Sequence, residues 1–319
     1  MSRSAAELLA CMEANARVHE RIREHTDALA ERRRRAGGVR SHVVGVATVA
    51  WEYSNSPAPI FLGVFEGIKS RARASDCDVL LFTTIDPDPD VYLRRCRDNG
   101  ITGMILHGFS ADDVRISRLL EAGIPCVGVD DVGLAPRLGH VSSDNVSGAI
   151  EAVRHLYESG RRRIATIHAP VSHSVGERRL LGYRNGLEEV GLTYRPEYVV
   201  AGDFYLWSGS VAMEQLLALD ELPDAVFAAT DIMAIGAMST IERAGLRVPD
   251  DIAIVGYDDI VEAALVSPRL TTVRQDAIAQ GAAATEGLLR MIGDPNTSPI
   301  ELLVPIELIV RESSGAAQV

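Results

Sequence analysis

From Val43 almost to the end of the 319-residue chain, short apolar runs alternate with helical stretches, and this alternation constrains the fold more than any other feature. The runs are bounded by polar residues or glycine, and the run at residues 43–47 contains no polar side chain. Continuous apolar runs are typical of parallel strands that helices cover on both faces. Strands alternating with helices therefore predict an α/β protein built from βαβ units.

The alternation occurs in two successive sets. The first covers residues 43–158, and the second begins at Arg163 and continues to a last strand at residues 307–310. Because each set can build its own sheet, the pattern predicts two doubly wound parallel-sheet subdomains in one chain. Residues 1–41 contain no such strand and are predicted to form a separate N-terminal helix, basic arm and linker.

Polar side chains cluster after two strands of the second set. The strand that starts at residue 252 leads into Asp258 and Asp259, and the next strand leads into Arg274 and Gln275. In an open parallel sheet, ligands bind outside the carboxyl ends of the strands. The two strand ends therefore predict a small-molecule site.

The same stretch carries a family resemblance. The segments GLRVPDDIAIVGYDD and SPRLTTVRQD resemble the C-terminal half of the lactose-repressor (LacI/GalR) family of bacterial regulators, and the similarity extends from about Val43 to Glu312. The resemblance implies a body like the type I periplasmic binding proteins, with a ligand held between two lobes. It implies three crossovers between the lobes, near Arg161, Gln275 and Asp294. The implied lobes are residues 42–160 with 276–293, and residues 161–275 with 294–319.

The resemblance also implies a set of ligand-binding side chains. Asp258 is the expected acceptor for paired ligand hydroxyl or amino groups, and Arg179 is the expected cationic clamp. Phe204 lies where the family stacks an aromatic ring on the ligand. The residues expected to line the interface between the lobes are Asn145 and Gln275. The residues expected to supply the opposite wall are Trp51, Tyr53, Ile60 and Phe61.

Thr230 departs from the family pattern, which commonly has Asn-Asp where this chain has Thr230 and Asp231. A hydroxyl offers fewer hydrogen bonds than an amide, so Thr230 is expected to make an altered contact with the ligand. Asp231 is predicted to cap the helix that follows it.

Each of these residues has a simpler interpretation when it is taken alone. Asp258 and Asp144 could be helix caps, Arg179 a surface arginine, and Phe204 and Tyr183 core aromatics. The functional interpretation is favoured because all of these groups fall at predicted carboxyl ends of strands, where they converge on one site.

Residues 4–35 form one helical candidate without an internal Gly or Pro. Its seam residues follow steps of three and four, the a/d spacing of a short coiled coil. The seam residues are Leu8, Cys11, Asn15, Val18, Ile22, His25 and Leu29. The alternative is an amphipathic helix that lies on the body of the protein.

Four consecutive arginines, Arg32, Arg33, Arg34 and Arg35, end this helical stretch. Such a run is usually a solvated linker, but the resemblance places it at a hinge helix that enters the DNA minor groove. Arg33 stands at the position of the family's leucine wedge, so these arginines, rather than a wedge, are the candidate DNA contacts.

The charge distribution limits where DNA could bind. Residues 1–40 hold nine arginines and six acidic residues, which gives them a net charge of +3. Because the whole chain has a net charge of −12, the remaining residues carry −15. An acidic body repels the phosphate backbone, which assigns any DNA contact to residues 1–40. No helix-turn-helix is recognisable there.

Composition excludes other protein classes. There is no stretch of eighteen apolar residues and no apolar signal-peptide core, which predicts a cytoplasmic protein without a membrane partner. The four cysteines form no CxxC pair and are predicted to be reduced thiols. The motifs GxGxxG, GxxxxGK[ST], HExxH and GxSxG are absent, and His168 and His173 form only a weak metal signal, so neither catalysis nor a cofactor is predicted.

These observations support two hypotheses. The first is a homodimeric lactose-repressor-type transcriptional regulator that binds a small effector, a carbohydrate or a nucleoside, and contacts operator DNA through residues 1–40. The second is a DNA-independent sensor that binds the same kind of ligand and acts on a partner protein through its N-terminal helix. A third, a sugar-modifying enzyme on this fold, lacks a catalytic pair.

Overall fold

The computed structural model describes residues 42–49, 59–110, 112–130 and 137–315. These residues form two six-stranded sheets with helices on both faces, which confirms the predicted fold class. The predicted helix at residues 4–35, the four arginines that end it, Trp51 and Tyr53 lie outside the described residues.

The first sheet has the order β11-β5-β4-β3-β1-β2 and is parallel throughout. Its strands are β1 Val43–Thr48, β2 Asp78–Phe82, β3 Gly103–His107, β4 Cys126–Val129, β5 Leu138–Ser143 and β11 Glu301–Val304. Helices α1 Pro59–Ala74 and α8 Ala277–Gly293 cover one face. Helices α2 Pro89–Asp98 and α3 Val114–Glu121 cover the other. Coverage of both faces explains why these strands are continuous apolar runs.

The second sheet has the order β12-β10-β9-β8-β6-β7, and its edge strand β12 is antiparallel to β10. Its strands are β6 Ile164–His168, β7 Val199–Ala201, β8 Ala225–Ala228, β9 Ala253–Asp258, β10 Thr271–Gln275 and β12 Ile306–Ile309. One face packs against α4 Asn145–Glu158 and α5 Ser174–Glu189. The other packs against α6 Leu206–Leu217 and α7 Asp231–Arg243.

The chain passes between the sheets three times, but two of the predicted positions are wrong. Helix α4 packs on the second sheet, so the first passage follows Ser143 rather than Arg161. Strand β11 pairs with β5, so the third passage lies at Pro305 rather than near Asp294. The second passage follows Gln275, since α8 returns to the first sheet.

Glycines bring several helix pairs into backbone contact. A Cβ atom on Gly281 of α8 would lie 1.9 Å from the Val64 carbonyl oxygen of α1, and one on Gly67 would lie 2.0 Å from the Ile278 carbonyl oxygen. Helices α6 and α7 meet in the same way at Gly209. These pairs leave no room for a side chain between the backbones.

Helix length, helix polarity and cysteine burial can be compared with the expectations from composition. Within the described ranges, every helix is too short or too polar to span a membrane. Cys96 and Cys126 are buried free thiols, and Cys77 is a half-buried one, whereas Cys11 lies outside the described residues.

Candidate ligand-binding site

Arg179 lies at the centre of the polar groups gathered at the carboxyl ends of the strands. Its side chain is only 3% exposed. Its Nε donates to Asn145 Oδ1 at 2.8 Å, while its Nη1 donates to the Ala229 carbonyl at 2.5 Å and to Asp258 Oδ1 at 3.3 Å. The guanidinium carbon lies 3.7 Å from the centre of the Tyr257 ring, a cation–π geometry. The guanidinium is therefore held in one orientation by three strand ends and one ring.

Asp258, the last residue of β9, is held by two neighbours. Gln275 Nε2 donates to the same Oδ1 atom at 2.7 Å that Arg179 contacts. Gln280 of α8 is fully buried and donates to Ser143 Oγ at 2.6 Å and to Gln275 Oε1 at 3.4 Å. Gln280 thus joins the ends of β5 and β10, the two strands at which the chain leaves one sheet for the other.

The backbone at the end of β9 is strained. Asp258 and Asp259 have φ angles of 120° and 57°, which residues other than glycine rarely adopt. The carboxylate of Asp259 is fixed by Arg274 at 2.7 Å and by Arg311 at 2.6 Å. This pair of contacts holds the turn that aims Asp258 at the site.

The buried carboxyl groups have shifted pKa values. Burial raises the pKa of Asp258 to about 6, although the nearby Arg179 and the hydrogen bond from Gln275 act in the opposite direction. Burial, together with the neighbouring Asp258, raises the pKa of Asp231 well above its usual range. Asp231 is a structural acid, because its two oxygens accept from Thr272 Oγ1 at 2.6 Å and from the Ile260 backbone N–H at 3.0 Å.

Side chains of the first sheet extend this set of contacts. Asn145 donates to Ser142 Oγ at 3.2 Å, and Ser142 donates to Asp130 Oδ1 at 3.2 Å. Asp130 Oδ2 lies 3.8 Å from His107 Nε2. We call the connected residues the polar network: His107, Asp130, Ser142, Asn145, Arg179, Asp258, Gln275 and Gln280. The polar network runs without interruption from the strand ends of one sheet to those of the other.

Two aromatic side chains that were predicted for the site contact histidine rings. Phe204, with a φ of 72°, is half-buried and meets the His173 ring edge-on at 5.5 Å. Phe61 at the start of α1 is buried, and its ring lies 5.1 Å from that of His107. The serine after His173 donates its hydroxyl to the Asp130 carbonyl at 3.2 Å, so this part of the second sheet touches the first.

The structure brings together four of the predicted site residues: Asp258, Arg179, Asn145 and Gln275. It also shows that Arg179 is not a surface side chain and that Asp258 caps no α-helix. The predicted capping role of Asp231 is wrong, because Thr230 is the N-cap of α7 and accepts from the Met233 N–H at 3.3 Å. That bond uses the Thr230 hydroxyl as an acceptor.

Sequence reasoning missed His107, Asp130 and Gln280. The first two directly end or follow β3 and β4, so the same strand-end rule that selected Asp258 would have found them. Gln280 carries no such signal, because it lies one turn inside a helix, among small and apolar residues, and its partners are distant in sequence.

The polar network still offers hydrogen-bonding atoms to a ligand. Among the described residues, none bonds to Nη2 of Arg179 or to Oδ2 of Asp258. These atoms are a donor and an acceptor on neighbouring groups, an arrangement suited to the hydroxyls of a polar ligand. The described residues contain no group of His, Cys, Asp or Glu side chains arranged to hold a metal ion.

Comparison with known proteins places this geometry in a family. A profile of the periplasmic binding protein-like domain matches residues 153–314. The HTH-type transcriptional regulator CelR of Thermobifida fusca is 38% identical over 215 residues, 67% of this chain and 63% of CelR. The chain thus aligns with about three fifths of that relative's length. The probable HTH-type transcriptional repressor ExuR of Bacillus subtilis (strain 168) is 31% identical over 284 residues, 85% of this chain and 84% of ExuR.

A solved structure described as a transcriptional regulator CelR–cellobiose complex superposes with a TM-score of 0.80 at 30% identity, covering 90% of each chain. The domain match covers just over half of the present chain, and the ExuR alignment covers most of both sequences. Two six-stranded sheets, polar strand ends and these relatives together show that the chain belongs to the lactose-repressor (LacI/GalR) family, with the periplasmic binding protein-like domain as its body.

Proposed function

We propose that this protein is a transcriptional regulator that binds a small polar effector, a sugar, at the polar network and thereby changes its binding to operator DNA. The observation that carries the proposal is the continuous set of contacts from Asp258 through Arg179 and Asn145 to Asp130, which joins the strand ends of both sheets. A ligand that bonds to these groups interacts with both sheets at once. CelR, whose complex contains cellobiose, supports a carbohydrate.

Coupling to DNA follows from differential binding. An effector shifts a conformational equilibrium only by as much as its affinities for the two states differ. Gln280 connects the ligand-facing Gln275 to Ser143, where the chain first leaves the first sheet, so contacts at the site reach the connections between the sheets. We place the lobe boundaries at these connections, near residues 144, 276 and 305.

The DNA contact is assigned to the basic residues 1–40, because the body is strongly acidic. The relatives CelR and ExuR are both described as HTH-type, which supports a regulator. A regulator of this kind acts where the DNA is, in the cytoplasm. We propose no catalytic activity.

A thermal-shift screen tests the effector site. Monosaccharides, disaccharides including cellobiose, and nucleosides would be added to wild type, Asp258→Ala and Arg179→Ala. A ligand present at about a hundred times its Kd adds roughly 2.7 kcal/mol of stability. The expected hit stabilises wild type and neither variant, whereas a hit that stabilises all three proteins equally would place the effector elsewhere.

Fluorescence anisotropy on labelled DNA from around the gene tests the DNA contact. The expected result is binding that weakens steeply with salt, as counterion release requires, and that changes when the hit is added. Replacing Arg32–Arg35 by alanines should weaken binding and reduce the salt slope. The absence of salt-sensitive binding to this DNA would favour the DNA-independent sensor.

Acidification through about pH 6 is expected to weaken effector binding. Burial raises the pKa of Asp258 to about 6, and hydroxyl donors prefer the ionised carboxylate. Below that pKa the free protein holds a proton that binding must release, so affinity should fall by about tenfold per pH unit. Calorimetric titration of the hit at pH 7.5 and pH 5 measures the fall, and Asp258→Asn should bind weakly with no such pH dependence. Equal wild-type affinities at both pH values would contradict the role of Asp258.

Protonation of Asp258 affects folding stability in the opposite direction to protonation of a salt-bridged surface acid. Because the folded pKa of Asp258 is raised, the folded state binds more protons than the unfolded chain between its usual value near 3.8 and about 6. The contribution of Asp258 to the free energy of unfolding therefore decreases as the pH rises through that window.

We propose homodimerisation through the first sheet's helices α1 and α8. Leu62 and Ile278, which are 59% and 54% exposed, lie at the adjacent starts of these two packed helices. A contiguous exposed apolar surface marks a contact site, and we propose that Leu62 and Ile278 form part of one on these helices. Leu62→Asp with Ile278→Asp should give a monomer in sedimentation velocity. The matched control, Val114→Asp, changes a residue 61% exposed on α3 of the opposite face and should leave the dimer intact. Dimers in both variants would exclude this surface.

A further inference from the structure

We infer that the effector is an uncharged polyhydroxylated molecule and that the site rejects anions such as uronates, aldonates, sugar phosphates and nucleotides. The inference rests on the proposed function and adds the charge class of the effector to it. It follows from the balance of charges around the polar network in the described parts of the chain.

The central cation is already neutralised. Arg179 shares its Nη1 between the Ala229 carbonyl at 2.5 Å and the Asp258 carboxylate at 3.3 Å, and Asn145 accepts from its Nε. An anionic ligand group approaching Nη2 would come close to the Asp258 carboxylate, whose charge repels it. A neutral hydroxyl can accept from Nη2 and donate to Asp258 Oδ2 without that penalty.

A second carboxylate belongs to the polar network on the side of the first sheet. Asp130 directly follows β4, is 7% exposed, and joins the network through Ser142. His107, at 3.8 Å, is the basic group beside it. Even with His107 protonated, these residues together with Arg179 and Asp258 carry no net positive charge.

The other arginines near the end of β9 are balanced as well. Arg274 lies between Asp259 at 2.7 Å and Glu307 at 3.1 Å, and Arg311 contacts Asp259 at 2.6 Å. Two cations thus meet two carboxylates. They hold the turn and contribute no surplus positive charge for a ligand.

Helix starts are the remaining source of positive potential. Those of α4, α7 and α8 are occupied by oxygens of Asp144, Thr230 and Asp276. The N-cap side chains of α5 and α6, His173 and Tyr205, make no capping bond, and Glu177 lies in the first turn of α5. A helix start corresponds to roughly half a positive charge, which is less than the full negative charge of Asp130 or Asp258.

Phe204 is a half-buried aromatic side chain beside His173, and the family resemblance assigns to it the flat apolar face that suits the C–H side of a sugar ring. Donor, acceptor and apolar face together match a neutral polyol ring.

Matched ligand pairs that differ in charge test the inference. The probes are cellobiose against cellobionate, galactose against galacturonate, glucose against glucose 6-phosphate, and adenosine against its 5′-monophosphate, titrated calorimetrically into the full chain. For any pair in which one member binds, the anion is expected to bind weaker by about a hundredfold, because it is placed against a like charge. An anion that binds as tightly as its neutral partner, or more tightly, overturns the inference.

Asp130→Asn separates charge from shape. The amide keeps the size of the side chain and can still accept from Ser142. The ratio of the neutral probe's affinity to the anion's affinity should therefore shrink by about tenfold, whatever the change in the neutral probe's own affinity. An unchanged preference in a folded variant would count against Asp130 as a source of the repulsion. The proposed function fails in a different way: no probe binds, or binding survives Asp258→Ala and Arg179→Ala.

Discussion

Arg179→Met is expected to abolish effector binding and to destabilise the protein by about 3–5 kcal/mol, because removing one partner of a buried ion pair leaves the other charge uncompensated. The side chain of Asp258 is 10% exposed, so water cannot replace the guanidinium. Asn145 and the Ala229 carbonyl lose their donors in the same substitution. The methionine fills most of the volume, which limits the effect to charge and hydrogen bonding.

Urea unfolding at pH 7.5 measures the stability change, and the thermal-shift assay measures the loss of binding. Arg178→Met is the matched control, since Arg178 is the neighbouring arginine on α5 and is half-buried. It should change stability by no more than about 0.5 kcal/mol. Adding Asp258→Asn to Arg179→Met should recover part of the lost stability, because the orphaned charge is then absent. Full stability in Arg179→Met alone would contradict the buried pair.

Gly281→Ala is expected to destabilise the protein by about 3 kcal/mol, the upper end for overpacking a core. The new Cβ would lie 1.9 Å from the Val64 carbonyl oxygen and 2.9 Å from the Ile68 nitrogen. Both are backbone atoms of α1, so no rotamer change can relieve the overlap. Helices α1 and α8 would have to separate, which would expose the core between them.

Gly293→Ala on the same helix is the control. Among the described residues, no atom beyond its own helix backbone and chain neighbours lies within 4 Å of the added Cβ, and the φ of Gly293 is not left-handed. This substitution should be neutral or should stabilise by about 0.4–1 kcal/mol through the unfolded chain. Chemical denaturation of both variants gives the comparison. Similar midpoints for the two would show that the helices tolerate separation.

The sequence predicts which segments are helices and which are strands, but it does not predict which of the two sheets each segment joins. Helix α4 follows β5 directly and is amphipathic, but the pattern does not say which sheet its apolar face meets. Strand β11 was missed because it is only four residues long and is separated from β12 by Pro305 alone, so the sequence pattern predicts a single last strand.

The candidate site could also be predicted only in part. Strand-end position and family resemblance selected Asp258 and Gln275 on neighbouring strands, and these side chains do bond to one another. The burial of Arg179 and its stacking on Tyr257 depend on how α5 crosses the sheet, which no local pattern encodes. The role of Gln280 could not be predicted, because it depends on the contact between Ser143 and Gln275, at two crossovers that are distant in sequence.

The glycine contacts also determine how this molecule can move. Sliding of one helix past another needs an interposed layer of side chains that can change rotamers, and at Gly67 and Gly281 that layer is missing. Shear within a helix pair is therefore blocked, and motion is left to hinges at the three strand connections. Gln280 is a buried tether across two of those hinges, so an effector that alters its bonds changes the angle between two otherwise undeformed bodies. Under the proposed function, the signal leaving the site would be a rotation at these three connections, and its size would be set by only a few backbone torsions.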